Sequence, residues 1–188
     1  KFTFLVSSRS PKKSLEFLRM IQKNISTPLT SFEIMNNNSI KTVLKNINGT
    51  ILPISEESEW YILIEFSSYE KNMDAIDKIN EIINLGLKKK IISNAVFANS
   101  KKQSKQIWNL RENISEAQKK DGASIKNDIS VPIFAVDEFI RKADLIVSKE
   151  IPKAKKITFG HLGDGNIHYN ISQPENLSQD SFFKLEKP

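Results

Sequence analysis

The chain contains no cysteine, which removes disulfides, thiolate metal sites and cysteine nucleophiles together. A reducing, cytoplasmic setting fits that absence, with any membrane contact peripheral and left to a longer protein. No apolar run approaches the roughly 18 residues that a membrane-spanning helix needs. The opening Lys1-Phe2-Thr3-Phe4-Leu5-Val6 stops at Ser7 and makes no signal-peptide pattern. Histidine is scarce, with two in 188 residues, so imidazole chemistry has only that pair to draw on. Arginine is scarce too: Arg9, Arg19, Arg111 and Arg141 stand among 28 basic residues. The net charge of +6 is therefore carried mostly by lysine, in short clusters such as Lys88-Lys89-Lys90 and Lys155-Lys156. Such clusters cap helices and keep a surface soluble. Net charge speaks to solubility and non-specific binding rather than to fold, and no nucleic-acid partner is expected.

What is present is ordinary for a globular protein: 39% hydrophobic and 27% charged residues. The length suits one domain or two small ones. Residues 2–6 read as a strand, and Ser10-Pro11 opens a helix to about Asn24, with serine as N-cap and proline at the first helical position. A strand within Pro28–Met35, a short helix over Ile40–Ile47 and the strong strand Trp60–Phe66 follow. A helix over about Lys71–Leu85 is expected to stop at Gly86, and Ile91–Phe97 reads as a strand. The second half starts with one long helix, about Ser100–Lys120. A strand at about Asp128–Ile133, a helix over Val136–Glu150 and two strands, Lys156–His161 and Asn166–Ser172, complete it. Strands mixed with helices packed on one side predict an α+β sandwich with an antiparallel sheet, with a division near residue 98 if there are two subdomains. The chain begins at Lys1 and ends in Leu185-Glu186-Lys187-Pro188 just after a helix-like start, and reads as a piece of a longer protein.

Gly160-His161-Leu162-Gly163-Asp164-Gly165-Asn166-Ile167-His168-Tyr169-Asn170 is the most informative stretch. Asp-Gly between two alternating runs predicts a two-residue hairpin turn, since both positions tolerate φ > 0. His161 would then face His168 directly, with Cβ atoms about 4.5–5.5 Å apart. The period of two puts Leu162, Ile167, Tyr169 and Ile171 on the core side and Phe159, His161, Asn166, His168 and Asn170 on the other. A single histidine would be read as a satisfied surface or core residue. Two that share a polar face can close on one metal ion, although a catalytic zinc usually has three protein ligands. Asp164 is read as a turn former. The glycines sit in a hairpin and make no dinucleotide-binding fingerprint.

On the long helix Arg111 and Ser115 stand four apart on one face. Arginine's planar fork matches a carboxylate in a way that lysine cannot. Lys126 stands at the start of the following strand. Taken alone these are solvated cations, or Arg111 is paired to an acid.

Trp108-x-x-Arg111-Glu112, Lys126-x-Asp128-Ile129-Ser130-Val131-Pro132 and the hairpin Gly160–His168 together resemble, in order and spacing, the C-terminal domain of FAD-linked oxidases. This is the family of D-lactate dehydrogenase, the glycolate oxidase flavin subunit and D-2-hydroxyglutarate dehydrogenase. Phe32-Glu33-Ile34-Met35 looks like the family's Glu-Leu-Met strand, and the resemblance covers nearly the whole chain. It implies a ferredoxin-like cap domain over the flavin of a separate FAD-binding domain, acting on a small 2-hydroxy acid. It also implies that Arg111, Ser115 and Lys126 hold the substrate's carboxylate, with His161 and His168 ligating a divalent metal, often zinc, and Asn170 beside it. The family carries a further Glu-His pair that this chain stops before. The piece alone is therefore expected to fold but neither to bind FAD tightly nor to turn over. Two other readings stay open: a metal-dependent hydrolase with a His-His-Asp centre, and a non-enzymatic ferredoxin-like binding module, for which RNA would need exposed aromatics on a sheet face.

Overall fold

A computed structural model describes residues 1–67 and 73–186. The chain opens with β1 (Phe2–Ser8) and α1 (Pro11–Asn24). The Ser10 hydroxyl accepts from the Lys13 amide and Pro11 takes the first turn, where a missing N–H costs nothing. Then come β2 (Leu29–Asn36), α2 (Asn37–Asn46), β3 (Trp60–Phe66), α3 (Met73–Lys88) and β4 (Asn94–Phe97). These four strands lie in the order β4-β1-β3-β2, all antiparallel, which is the split βαβ arrangement of a ferredoxin-like unit.

The second half comprises α4 (Lys101–Glu112), α5 (Ile114–Lys120), β5 (Ser124–Ile125), β6 (Asp128–Ser130), a 3-10 turn (Ile133–Ala135), α6 (Val136–Glu150), β7 (Lys155–His161), β8 (Asn166–Ser172) and α7 (Gln179–Phe183). It extends the first sheet: β7 pairs with β2, β8 with β7, and both β5 and β6 with the outer edge of β8. The result is one eight-stranded antiparallel sheet, the α+β class that the sequence predicts.

The expected one-sided packing of helices needs correction. Phe4, Val6, Ile34, Ile62 and Ile64 share a core with residues of α1, α3 and α6. Leu5, Met35, Tyr61 and Leu63, which alternate with them, share another with α2, α4 and α5. The reason lies in β3, where all seven positions of Trp60–Phe66 are buried, so neither face can be left in water. The second face is covered mainly by helices the second half supplies. A third cluster packs α6 and α7 on Tyr169 and Ile171.

Several boundaries differ from expectation: β4 begins at Asn94 rather than Ile91 and α2 at Asn37 rather than Ile40. The expected start of α3 at Lys71 lies outside the described residues, and the helix runs through Gly86 to Lys88. Gly86 is there for closeness: a Cβ on it would stand 2.8 Å from the Phe17 ring. The long helix divides into α4 and α5 at Asn113, whose ψ of 3° leaves the helical region. The strand expected over Asp128–Ile133 ends at Ser130, ahead of Pro132, which has no N–H for a ladder.

Candidate active site

The hairpin that carries both histidines has a longer turn than the sequence suggests. His161 pairs with Asn166, Gly160 with Ile167 and Phe159 with His168, so Leu162–Gly165 form a four-residue connection. Leu162 causes the difference. Its amide donates to the Phe32 carbonyl of β2 and its side chain is fully buried in the core below α1 and α6, so it leaves the β7–β8 ladder. Asp164 is not at positive φ, as a type I′ turn would require, and its carboxylate accepts from the Asn166 amide. Gly165 does have φ +77° and lies so close to β6 that a Cβ would meet the Val131 carbonyl oxygen at 2.0 Å.

The pairing has slid by two residues, which preserves the faces. Leu162 and Ile167 enter one core and Tyr169 and Ile171 another on the same side, while Phe159, His161, Asn166, His168 and Asn170 share the opposite side. The imidazoles are therefore diagonal neighbours on one face, not opposed. Diagonal partners lie about 7–8 Å apart, still within reach of ring side chains.

Each imidazole has a carboxylate directly across from it on the other adjoining strand. Glu33 of β2 opposes His161, and its Oε1 lies 2.7 Å from His161 Nδ1. Asp128 of β6 opposes His168, and its Oδ1 makes a short hydrogen bond with His168 Nδ1. Ionised carboxylates only accept, so Nδ1 of each ring carries the hydrogen, and in the neutral form of the ring Nε2 keeps its lone pair. This is the carboxylate–histidine arrangement found behind metal-ligating imidazoles. His161 opens beside a cleft of about 270 Å³ lined also by Gln22, Ser31, Gly163 and Asp164. Among the described residues no group of three or more His, Cys, Asp or Glu could hold a metal. The two imidazole Nε2 atoms are therefore the donors that this face would offer a metal.

Arg111, on the last turn of α4, reaches the same junction. Its Nε donates to Glu33 Oε2 at 2.7 Å, and its guanidinium lies 4.6 Å above the Phe159 ring. The other neighbour of Phe159 is His168, with ring centroids 4.7 Å apart. One buried aromatic ring therefore touches both the cation and the second imidazole.

The remaining predicted residues are placed less uniformly. Lys126 is exposed, and the register that β5 and β6 share against β8, carried through the break between them, sets it across from Asn170. Asn170 is buried; its amide donates to Gln118 Oε1 of α5 and accepts from the Asn127 backbone, so it ties the edge strand to a helix. Ser115 is exposed at the start of α5, past the break that ends α4, and does not continue the Arg111 face of one helix. On the far side of the hairpin, burial and the Asp144 carboxylate push the Tyr169 phenol well above its ordinary range, which keeps it a donor to Asp144.

Sequence reasoning passed over Glu33, Asp128 and Phe159 as site residues. Each lay inside a quoted motif or alternating strand; the missing information was which strands become neighbours. A larger cleft, about 690 Å³, lies elsewhere, at the start of α4 beside Lys1, Lys101, Lys105 and Trp108. Volume and chemistry disagree here, and the converging donors identify the site better than the larger space. Trp60, Tyr61 and Phe66 are buried, so the RNA reading lacks its exposed sheet aromatics. Among the described residues no helix is long and apolar enough to cross a membrane.

Fold and polar face define a class: an α+β domain with a ferredoxin-like half, carrying a guanidinium–carboxylate–imidazole junction on one side of its sheet. The chain belongs to the family of FAD linked oxidases, C-terminal domain, which matches residues 2–181. It is 34% identical over 154 residues to the mitochondrial D-2-hydroxyglutarate dehydrogenase of Arabidopsis thaliana, covering 82% of this chain and 27% of that protein. Identity to the D-2-hydroxyglutarate dehydrogenase of Stutzerimonas stutzeri is 32% over 157 residues, covering 82% and 32%. For the mitochondrial enzyme of that name from Rattus norvegicus it is 30% over 176 residues, covering 92% and 31%. The chain spans about a third or less of the length of these relatives.

Proposed function

We propose that this domain is the substrate-binding part of a flavin-dependent dehydrogenase that oxidises a small D-2-hydroxy acid to the 2-oxo acid. The observation that carries the reading is the junction at Glu33, where one carboxylate holds both an arginine and an imidazole on the face that also bears His168. The family and the names of its relatives agree with it.

In this reading Arg111 grips the substrate carboxylate with the part of its fork not bound to Glu33, and Lys126 adds positive charge from the edge strand. Ser115 would join them only through the short turn at Asn113. His161 and His168 would hold a divalent metal such as zinc through Nε2, with Asn170 keeping the edge strand in register beside them. Such a metal supplies Lewis acidity toward a hydroxyl group. FAD, held mainly by another domain, supplies the hydride acceptor. The chain's own residues bind the anion, orient the C2 hydroxyl and hold the imidazole protons at Nδ1.

The test uses the flavin-loaded protein that carries this domain, mixed anaerobically with D-2-hydroxyglutarate, D-lactate or glycolate. Bleaching of the flavin absorbance is expected with at least one of them. Arg111→Lys should raise KM by roughly tenfold or more, since lysine cannot replace a bidentate fork, and His168→Ala should abolish reduction. Absence of bleaching with every 2-hydroxy acid, or unchanged kinetics in both variants, sinks the proposal.

A further inference from the structure

We infer that Glu33 is a positioning residue that sets Arg111 and His161 at the same time, so that one carboxylate governs both the anion grip and the imidazole donor. The inference rests on the reading of those two residues as ligand-holding groups. Glu33 sits on β2, the strand where the ferredoxin-like half meets the strands added by the second half. It is 8% exposed, and its two oxygens are divided: Oε2 takes Arg111 Nε and Oε1 takes His161 Nδ1, both at 2.7 Å.

Packing alone does not ask for a carboxylate there. The next residue on that face of β2 is Met35, fully buried in the core under α2 and α4. An acid so enclosed is costly unless both oxygens are satisfied. Both partners come from the second half of the chain. On the arginine side, Glu33 fixes the guanidinium through Nε while Phe159 supports it at 4.6 Å, and among the described residues its Nη groups have no further protein acceptor. Those Nη donors can then face a ligand. On the histidine side, Glu33 keeps the hydrogen on Nδ1, so that the neutral ring has its lone pair on Nε2. Asp128 makes the simpler comparison: it holds His168 alone, and its side chain is 76% exposed.

The two histidines give the chain a clean probe, because a long-range proton–nitrogen spectrum of this 188-residue chain, labelled with ¹⁵N, contains only two imidazoles. In the unaltered chain, at a pH high enough that both rings are neutral, each should be the Nδ1–H tautomer. Glu33→Gln leaves one acceptor and one donor. Arg111 Nε–H requires the acceptor, so the amide NH₂ turns to His161, Nδ1 becomes an acceptor and the hydrogen moves to Nε2. The His161 pattern should invert and the Arg111 Nε–H resonance should shift, with His168 unchanged. Asp128→Asn should alter His168 and leave His161 and Arg111 as they are. An unaltered chain with His161 in the Nε2–H form overturns the inference, and this single spectrum decides it if Glu33→Gln fails to fold. A folded Glu33→Gln protein in which either His161 or Arg111 is undisturbed overturns it too. Inversion at His161 in a protein whose flavin ignores every 2-hydroxy acid supports the positioning role and rejects the substrate reading above.

Discussion

Gly165→Ala tests whether the hairpin and the edge strand meet as closely as the geometry requires. Gly165 has φ +77°, a region that costs an L-residue about 1–2 kcal/mol. A Cβ there would stand 2.0 Å from the Val131 carbonyl oxygen, far inside contact, and that oxygen belongs to backbone, which cannot turn aside. The least expensive escape moves Val131 away and breaks its amide's 3.2 Å hydrogen bond to the Gly165 carbonyl, at about 1 kcal/mol. The total is about 2–3 kcal/mol. For a chain of this size, that lowers the melting temperature by about 4–12 °C. Circular dichroism melts at neutral pH would measure it. Gly163→Ala is the matched control two residues away. Its Cβ would meet nothing nearer than the His161 ring at 3.5 Å, so its melting temperature should stay within about 2 °C of the parent, the range for surface changes of half a kcal/mol. Equal melting temperatures for the two variants would refute the close approach, and with it the placing of β6 against β8.

Other perturbations have equally definite signs. Burial works to raise the Asp121 pKa, but hydrogen bonds from Lys45 and Lys155 outweigh it and hold the carboxyl below its ordinary value. A depressed folded pKa contributes stability that is complete above the unfolded pKa and lost as pH falls through the folded one. Asp121→Asn should therefore cost about 1–2 kcal/mol at pH 7, and its melting curve should converge on the parent's below about pH 4; a constant gap across that range would contradict the pairing. Gly86→Ala gains about 1 kcal/mol of helix propensity but presses a Cβ to 2.8 Å from the buried Phe17 ring. Overpacking of about 1–3 kcal/mol should win, and a stabilised variant in denaturant titration would show that the ring yields.

Local signals carried much of the fold. Ser10-Pro11, the aromatic and β-branched run Trp60–Phe66 and the amphipathic stretch Val136–Glu150 each specify their element through neighbours a few residues away, and their boundaries agree with the structure. What the sequence concealed depends on distant partners. The turn length followed Leu162, whose amide and side chain answer to β2 and to helices packed under the sheet. The second helical layer followed from β3 needing cover on both faces, a requirement written in β3 but met by α4 and α5 some forty residues later. Glu33 and Asp128 stood in plain view as acids on short strands, yet Glu33 precedes its imidazole by 128 residues and Asp128 by 40. Alternation along β2 can tell only which side Glu33 faces; the β2–β7 pairing tells what it faces.

The two-residue slide in the hairpin shows which property of the sequence the site depends on. A side chain's face depends on odd or even position, so an error of two residues in the turn leaves both imidazoles on the side of Arg111, whereas an error of one would have buried them beside Leu162. Direct opposition was never required, because neither ring leans on the other. Each takes its carboxylate from the neighbouring strand on its outer side, His161 from β2 and His168 from β6. Two antiparallel registers, one on each side of the hairpin, must therefore hold together for both Nε2 atoms to be presented. The glycines serve those registers: a Cβ on Gly160 would meet the Asn166 carbonyl oxygen of β8 at 2.3 Å, and one on Gly165 the Val131 carbonyl oxygen just past β6. The motif's conformational demands and its chemical ones are thus the same demand, since whatever separates the strands also turns an imidazole away from its acid.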